Sequence, residues 1–247
     1  MTFPSLARMV AIASVFVSAL FAEEAPKKVG IIGLDTGHVV AFTTVFNKGP
    51  KNPADAAKYS GFRVTHAFAQ GSKDIPGSTS RVPEYTASLK GMGVEIVDSI
   101  EKLCAQVDFV MLESNDGRVH LEQILPVLKA GKTVYIDKPI AGSLADVIRI
   151  QDAAKKAGVV YFCSSSLRFA ASTQAVAQGS IGKVKTATTT SPASLEPHHP
   201  DLYWYGVHGC ESLYTVMGTG CISVKRDKSA AGLIQVTGNW GDGRVGI

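Results

Sequence analysis

Between residues 27 and 163, six short apolar runs rich in Val and Ile alternate with stretches of helical spacing, and few folds accept that rhythm. The strand-like runs are Lys27–Gly33, Phe62–Phe68, Val94–Val97, Val107–Leu112, Thr133–Ile136 and Val159–Cys163. Helical stretches begin near Gly37, with Val39 to Phe46 as the apolar face, and recur at Val82–Lys90, Ser99–Cys104, Gly117–Ala130 and Ser143–Ala157. Ser99 suits an N-cap, while Gly131 and Gly158 stand where a helix end needs a left-handed residue. This alternation predicts an α/β fold, a doubly wound parallel sheet of Rossmann type over residues 27–165. The unbroken apolar character of the first strand predicts a sheet covered on both faces. Right-handed crossovers would then gather the functional loops at the carboxyl ends of the strands.

After Arg168 the texture changes. Lys183–Thr190 and Leu233–Thr237 read as strands, and Tyr205–Met217 reads as a helix stopped by Gly218. Residues 166–247 are therefore expected to begin an α+β domain with an open sheet. The text ends at Gly243-Arg-Val-Gly-Ile247, inside what reads as a new strand, so this sheet is expected to be incomplete and the chain truncated. At the other end, Arg8 precedes the apolar run Met9–Phe21, and small and acidic residues follow. That layout predicts a signal peptide over residues 1–22, cut after Ala22, and an exported protein, periplasmic or secreted. The run is shorter than the roughly 20 residues that cross a bilayer, and no later segment reads as a span.

A formal charge of +4 without a long basic run argues against nucleic acid as a partner. Cys104, Cys163, Cys210 and Cys221 are widely spaced and form no CxxC pair. They read as buried small residues, with a Cys210–Cys221 bridge left open.

The most telling loop follows the first strand, in Val29-Gly-Ile-Ile-Gly-Leu-Asp-Thr-Gly-His38. A dinucleotide turn has the pattern G-x-G-x-x-G, its middle glycine letting backbone approach the pyrophosphate. With Gly33 as the first glycine, Asp35 stands second and His38 third. A desolvated carboxylate there would repel a pyrophosphate by several kcal/mol, on the order expected from Coulomb's law. The alternative role for Asp35 is to cap the helix, with Thr36 and His38 packed nearby. The second strand ends in Ala67-Phe-Ala-Gln70-Gly-Ser-Lys73, without the acid that holds the ribose of NAD. Gln70 can bond a ribose, and Ser72 with Lys73 can favour the 2′-phosphate of NADP.

Four segments together resemble one family. They are Val29–His38, then Val107–Leu112 with His120 and Leu128–Pro139, then Val160–Phe169, and last His208–Glu211 leading to Met217-Gly218. The family is the glucose-fructose oxidoreductase / inositol dehydrogenase (Gfo/Idh/MocA) family, and the most specific match is the strand ending in Asp137-Lys138-Pro139. The resemblance implies a Rossmann domain followed by an α/β domain whose open sheet often forms an oligomer interface. It also implies oxidation or reduction of a sugar or cyclitol with NAD or NADP. Lys138 matches the lysine of the family's Glu-Lys-Pro motif, which touches nicotinamide and substrate, and Asp137 replaces the Glu. His208 matches a helix histidine that acts as acid/base with an aspartate one turn earlier, but Trp204 occupies that place here. The expected catalytic pair is thus Lys138 and His208. Cofactor contacts are expected from Gly30, Gly33, Asp35, Thr36, Gly37, His38, Gln70, Ser114, Asn115, His120, Asp137 and Lys138. Substrate contacts are expected from Arg168, Trp204 and His208, with Tyr203 and Tyr205 completing an aromatic platform.

Glu196, His198, His199, Asp201, His208 and Glu211 have metal-donor side chains, but no spacing among them matches a zinc signature, so no metal is expected. The leading expectation is an exported NAD(P)-dependent oxidoreductase. Two alternatives stay open: glycoside hydrolysis through transient oxidation by bound NAD, and carbohydrate binding by a scaffold that has lost its nucleotide. Asp35, Trp204 and the missing ribose acid favour the last.

Overall fold

The computed structural model describes residues 25–247, so the expected signal peptide lies outside the described residues. The first domain runs β1 (Lys27–Ile32), α1 (Gly37–Lys48), α2 (Ala56–Tyr59), β2 (Phe62–Phe68), α3 (Pro76–Thr79), α4 (Val82–Gly91), β3 (Glu95–Val97) and α5 (Ile100–Gln106). It continues with β4 (Phe109–Leu112), α6 (His120–Lys129), β5 (Thr133–Ile136), α7 (Leu144–Ala157) and β6 (Tyr161–Cys163). The strands form one parallel sheet in the order β3-β2-β1-β4-β5-β6, which places the change of direction between β1 and β4. Local chemistry explains the boundaries. Ser99 Oγ accepts the Lys102 N–H at 3.1 Å and Ser143 Oγ accepts the Asp146 N–H at 3.1 Å, while Gly158 ends α7 at φ 66°. The short helices α2 and α3 were not expected; they lie in polar stretches that lack a helical apolar stripe.

Cover on the two faces is unequal. Val110, Leu112, Val134 and Ile136 are buried on one face with Leu103, Ile124, Val127 and Ile150 of α5, α6 and α7. On the other face, Val29, Ile31 and Val64 pack with Val39 of α1 and Leu89 of α4. Beyond β1 that second face has no covering helix among the described residues. Phe109, Met111 and Tyr135 are only half-buried, and Phe162 is 54% exposed. Phe42, Tyr135 and Phe162 stack along it at centroid spacings of 6.2 and 5.4 Å. The expectation of a sheet covered on both sides therefore holds only for half of it. Runs such as Phe-Val-Met-Leu are apolar on both faces, so sequence periodicity could not separate the two.

The second domain has α8 (Ala171–Ala177), β7 (Thr186–Ala187), α9 (Val207–Met217), β8 (Cys221–Lys228), β9 (Ile234–Trp240) and β10 (Val245–Gly246). Its sheet is ordered β7-β10-β9-β8, with β8, β9 and β10 antiparallel and β7 parallel to β10. Leu213 and Met217 of α9 pack on Trp240. Strand β8 was not anticipated, because Cys-Ile-Ser-Val-Lys-Arg-Asp-Lys buries no face. The strand expected over Lys183–Thr190 shrinks to Thr186–Ala187. All four cysteines are free, so the Cys210–Cys221 bridge does not form; only Cys104 is buried and Cys210 is exposed. Among the described residues, no helix is long and apolar enough to cross a membrane.

Candidate active site

The strand ladder carries past the ends of the strands and sets two carboxylates side by side. Glu113 N–H donates to Ile32 C=O at 2.7 Å, and Asp137 N–H donates to Leu112 C=O at 2.8 Å. Glu113 and Asp137 thus sit on adjacent strand ends beside β1. His38, in the first turn of α1, meets them there, with Nδ1 2.7 Å from Asp137 Oδ2. The Tyr135 hydroxyl donates to Asp137 Oδ1 at 3.2 Å. Burial pushes the Asp137 carboxyl upward, but the His38 hydrogen bond and charge outweigh it, so the group titrates below its ordinary value. Glu113 is 0% exposed and neither carboxyl oxygen has a partner. Burial, reinforced by Asp137, holds its pKa well above the usual range.

Lys138 follows Asp137 and is only 6% exposed. Its Nζ lies 5.3 Å from the centre of the Tyr205 ring, a cation–π contact, and it makes no ion pair with a described residue. Tyr205 in turn stands edge-on to His208, with ring centres 4.7 Å apart. His208 Nδ1 is 2.7 Å from Ser165 Oγ, which also accepts the Leu167 N–H. Burial first, then the Lys138 charge, lowers the His208 pKa. A neutral imidazole at neutral pH can take up a proton. Lys138, His208, His38, Asp137 and Tyr205 line one cavity of about 890 Å³ that opens along the uncovered aromatic face of the sheet. Both expected catalytic residues therefore reach the same space.

The glycine turn is built differently from the expected pattern. Gly30 is a packing residue, since a Cβ there would lie 2.5 Å from Leu103 of α5. Gly33 has φ +82° and abuts Ser114. Thr36, not Asp35, caps α1, accepting the His38 N–H at 3.5 Å. Asp35 is fully buried and turned inward: Oδ1 accepts the Asn115 N–H at 2.9 Å and Oδ2 the Ser78 hydroxyl at 2.6 Å. Burial raises its pKa against those hydrogen bonds.

A pH effect follows. Because the folded pKa of Asp35 lies above its ordinary value of 3.8, its contribution to stability is full below that value and is lost as pH rises through the folded value. Asp35→Asn keeps the acceptor for Asn115 and removes that loss. Thermal unfolding of both proteins from pH 4 to 8 is expected to shift in favour of the variant as pH rises; a constant difference would refute the assignment.

Several expected cofactor contacts are engaged elsewhere. Gln70 accepts a hydrogen bond from Gln123 at 2.9 Å. His120 is fully buried, with Nε2 2.7 Å from Ser114 C=O and Nδ1 3.2 Å from Ile140 C=O. Burial lowers its pKa, and it fastens the loop after β4 to the loop after β5. The loops after β2 and β4 are also tied directly. Ser72 Oγ donates to Asp116 at 2.5 Å, and Arg118 bridges Asp116 and Asp74.

The remaining candidates lie outside the cavity. Trp204 stacks on His199 at 4.8 Å, so Tyr205, not Trp204, supplies the aromatic wall. His199 is buried with Nδ1 3.0 Å from Glu196, and its Nε2 lies 3.0 Å from Asp116 without a hydrogen bond, so this part of the second domain packs beside the loop after β4. Arg168 pairs with Glu211 at 2.5 Å and lines a separate pocket with Gln174 and Tyr214, so it does not meet Lys138. Asp201 pairs with Arg226 at 2.6 Å in a 3-10 turn and stands apart from His208. Sequence reasoning missed Glu113, Ser165 and Ser78. For Glu113 a signal existed: a carboxylate ending a wholly apolar strand, Phe-Val-Met-Leu-Glu.

Comparison with known proteins agrees with this architecture. The family model described as "Oxidoreductase family, NAD-binding Rossmann fold" (Gfo/Idh/MocA) matches residues 27–165. A 1,5-anhydro-D-fructose reductase of Ensifer adhaerens is 35% identical over 117 residues, covering 45% of this chain and 35% of that protein. A myo-inositol 2-dehydrogenase of Thermotoga maritima is 35% identical over 107 residues, covering 42% of this chain and 31% of that protein. The matched stretch thus spans about a third of these curated relatives. Among solved structures, a putative myo-inositol dehydrogenase of Sinorhizobium meliloti superposes with a TM-score of 0.66 at 16% identity, over 89% of this chain and 67% of that one. The scyllo-inositol dehydrogenase of Lactobacillus casei, solved with NAD(H) and scyllo-inositol, superposes with a TM-score of 0.61 at 19% identity, over 90% of this chain and 68% of that one.

Proposed function

The chain belongs to the Gfo/Idh/MocA family of NAD-binding oxidoreductases, and on that premise we propose that it moves hydride between NAD(P) and a hydroxyl-bearing carbon of a sugar- or cyclitol-like molecule. One observation carries the proposal: Lys138 and His208, from different domains, line one cavity at the carboxyl ends of the strands. The activities named for the two curated relatives support the substrate class.

The glycine turn suits a dinucleotide in two respects. Helix α1 has no acidic residue in its first turn, so its dipole favours a phosphate there, even with the His38 N–H taken by Thr36. The Asp35 carboxyl is buried and turned inward, held by the Asn115 N–H and the Ser78 hydroxyl, which weakens the expected repulsion. Gly33, Gly37, His38, Ser114 and Asn115 would hold the cofactor, with Asp137 and Lys138 at the reacting end. When bound, it supplies the hydride acceptor or donor. Lys138 holds the substrate oxygen and stabilises the negative charge that develops there. His208, neutral and steadied by Ser165, takes or returns the hydroxyl proton.

The test is a titration of the full chain with NADH and NADPH by fluorescence, followed by a screen of sugars and cyclitols for reduced cofactor. Binding of neither nucleotide sinks the proposal. A second reading, carbohydrate binding without hydride transfer, is favoured by the Ser72–Asp116–Arg118–Asp74 bridge between the loops after β2 and β4. Sugar binding by calorimetry without nucleotide binding would establish it. Export, expected from residues 1–22, belongs to the proposal too, and sequencing the amino terminus of the mature protein checks it; a start at Met1 would refute it.

A further inference from the structure

Among the described residues, His38, Glu113 and Asp137 alone offer three metal-binding atoms within 4.8 Å of one another. The two carboxylates come from adjacent strand ends and the imidazole from α1, so the sheet ladder positions all three. The independent sign is Glu113. A fully buried carboxyl group with neither oxygen hydrogen-bonded costs several kcal/mol unless something absent from the protein itself satisfies it. Lys138 is adjacent in sequence to Asp137 and contributes to the field at Glu113, yet its ammonium faces the Tyr205 ring and pairs with neither carboxylate. The local cation is thus occupied elsewhere, leaving two carboxylates and an imidazole.

We propose that His38, Glu113 and Asp137 bind a divalent first-row transition ion, of the zinc or manganese class. Mixed imidazole and carboxylate donors suit such ions, and a 2+ charge balances the two carboxylates. Ligation needs Glu113 as a carboxylate and one bare nitrogen on His38, so entry of the ion releases the Glu113 proton and leaves the imidazole hydrogen on the nitrogen that does not ligate. The Tyr135 hydroxyl, bonded to Asp137 Oδ1, orients that ligand from behind. Three protein donors leave coordination positions open, and the cavity shared with Lys138 and His208 admits a substrate oxygen to them.

Binding is measured without substrate or dinucleotide, so failure here leaves the hydride-transfer reading standing. The full chain, stripped with a chelator, is dialysed to equilibrium against ZnCl₂ or MnCl₂ and its metal content determined. One ion per chain is expected, with affinity lowered more than about tenfold in Glu113→Gln and in His38→Asn, and about tenfold in Tyr135→Phe. Circular dichroism verifies that each variant is folded. Should Glu113→Gln not fold, Co²⁺ loaded into the unaltered chain must give a visible absorption band of imidazole and carboxylate ligation. No ion retained, no such band, or undiminished binding by a folded Glu113→Gln or His38→Asn overturns the proposal.

Discussion

Replacing Lys138 with Met is expected to lower turnover by about two to three orders of magnitude, the loss seen when one donor to a developing oxyanion is removed. Methionine keeps the length and apolar stem of the side chain, so the wall against Tyr205 stays filled. Only the ammonium disappears. Because that charge acts most where negative charge builds on the substrate oxygen, kcat should fall far more than KM rises. Steady-state kinetics with a reactive sugar or cyclitol checks this, with unfolding midpoints as the control for folding. Turnover within a few-fold of the unaltered chain would remove Lys138 from the chemistry. The same substitution frees His208 from a neighbouring positive charge that lowers its pKa, so any residual activity should have its acidic limb shifted to higher pH.

The second large effect concerns the glycine turn. Gly33→Ala is expected to destabilise the fold by about 2–5 kcal/mol, combining an unfavourable positive φ with steric overlap. Gly33 has φ +82°, and an added Cβ would lie 2.3 Å from Ser114 Oγ and 2.6 Å from Ser114 Cα and N. Those last two are backbone atoms of the β4 loop, which His120 and the Asn115–Asp35 bond hold in place, so relief by a rotamer change is not open. Gly37→Ala is the contrast. Its added Cβ would meet only the Tyr85 hydroxyl, at 3.7 Å, and stability should change by less than about 1 kcal/mol. Urea unfolding of the two variants separates them, and equal losses would contradict the geometry. The outcome bears on how such turns are read: Gly30 and Gly33 are demanded here by protein packing, before any phosphate is considered.

The parts legible in the sequence were those that short stretches encode. Phe62–Phe68 and Thr133–Ile136 appear as strands at the expected residues, and Ser99 and Gly158 cap as expected, because a cap or a strand run needs only its near neighbours. Lys138 and His208, picked out through motifs at the end of a strand and on a helix, were brought to one cavity by the fold. Arg168 and Trp204 were not, since Glu211 and His199 draw them away and nothing near them in sequence announces those partners.

The alternation of apolar strands and capped helices was enough, by itself, to predict a parallel sheet with its functional loops gathered at one end. Periodicity and caps are local, and right-handed crossovers leave few other arrangements. Tertiary structure decided the chemistry at that point. Whether Asp35 faces a phosphate or the interior depends on Ser78 and Asn115, 43 and 80 residues away. Whether Glu113 finds a partner depends on where α1 carries His38 and where Tyr205 holds Lys138. A buried charge takes its character from the groups packed around it, and only the folded chain brings those groups together.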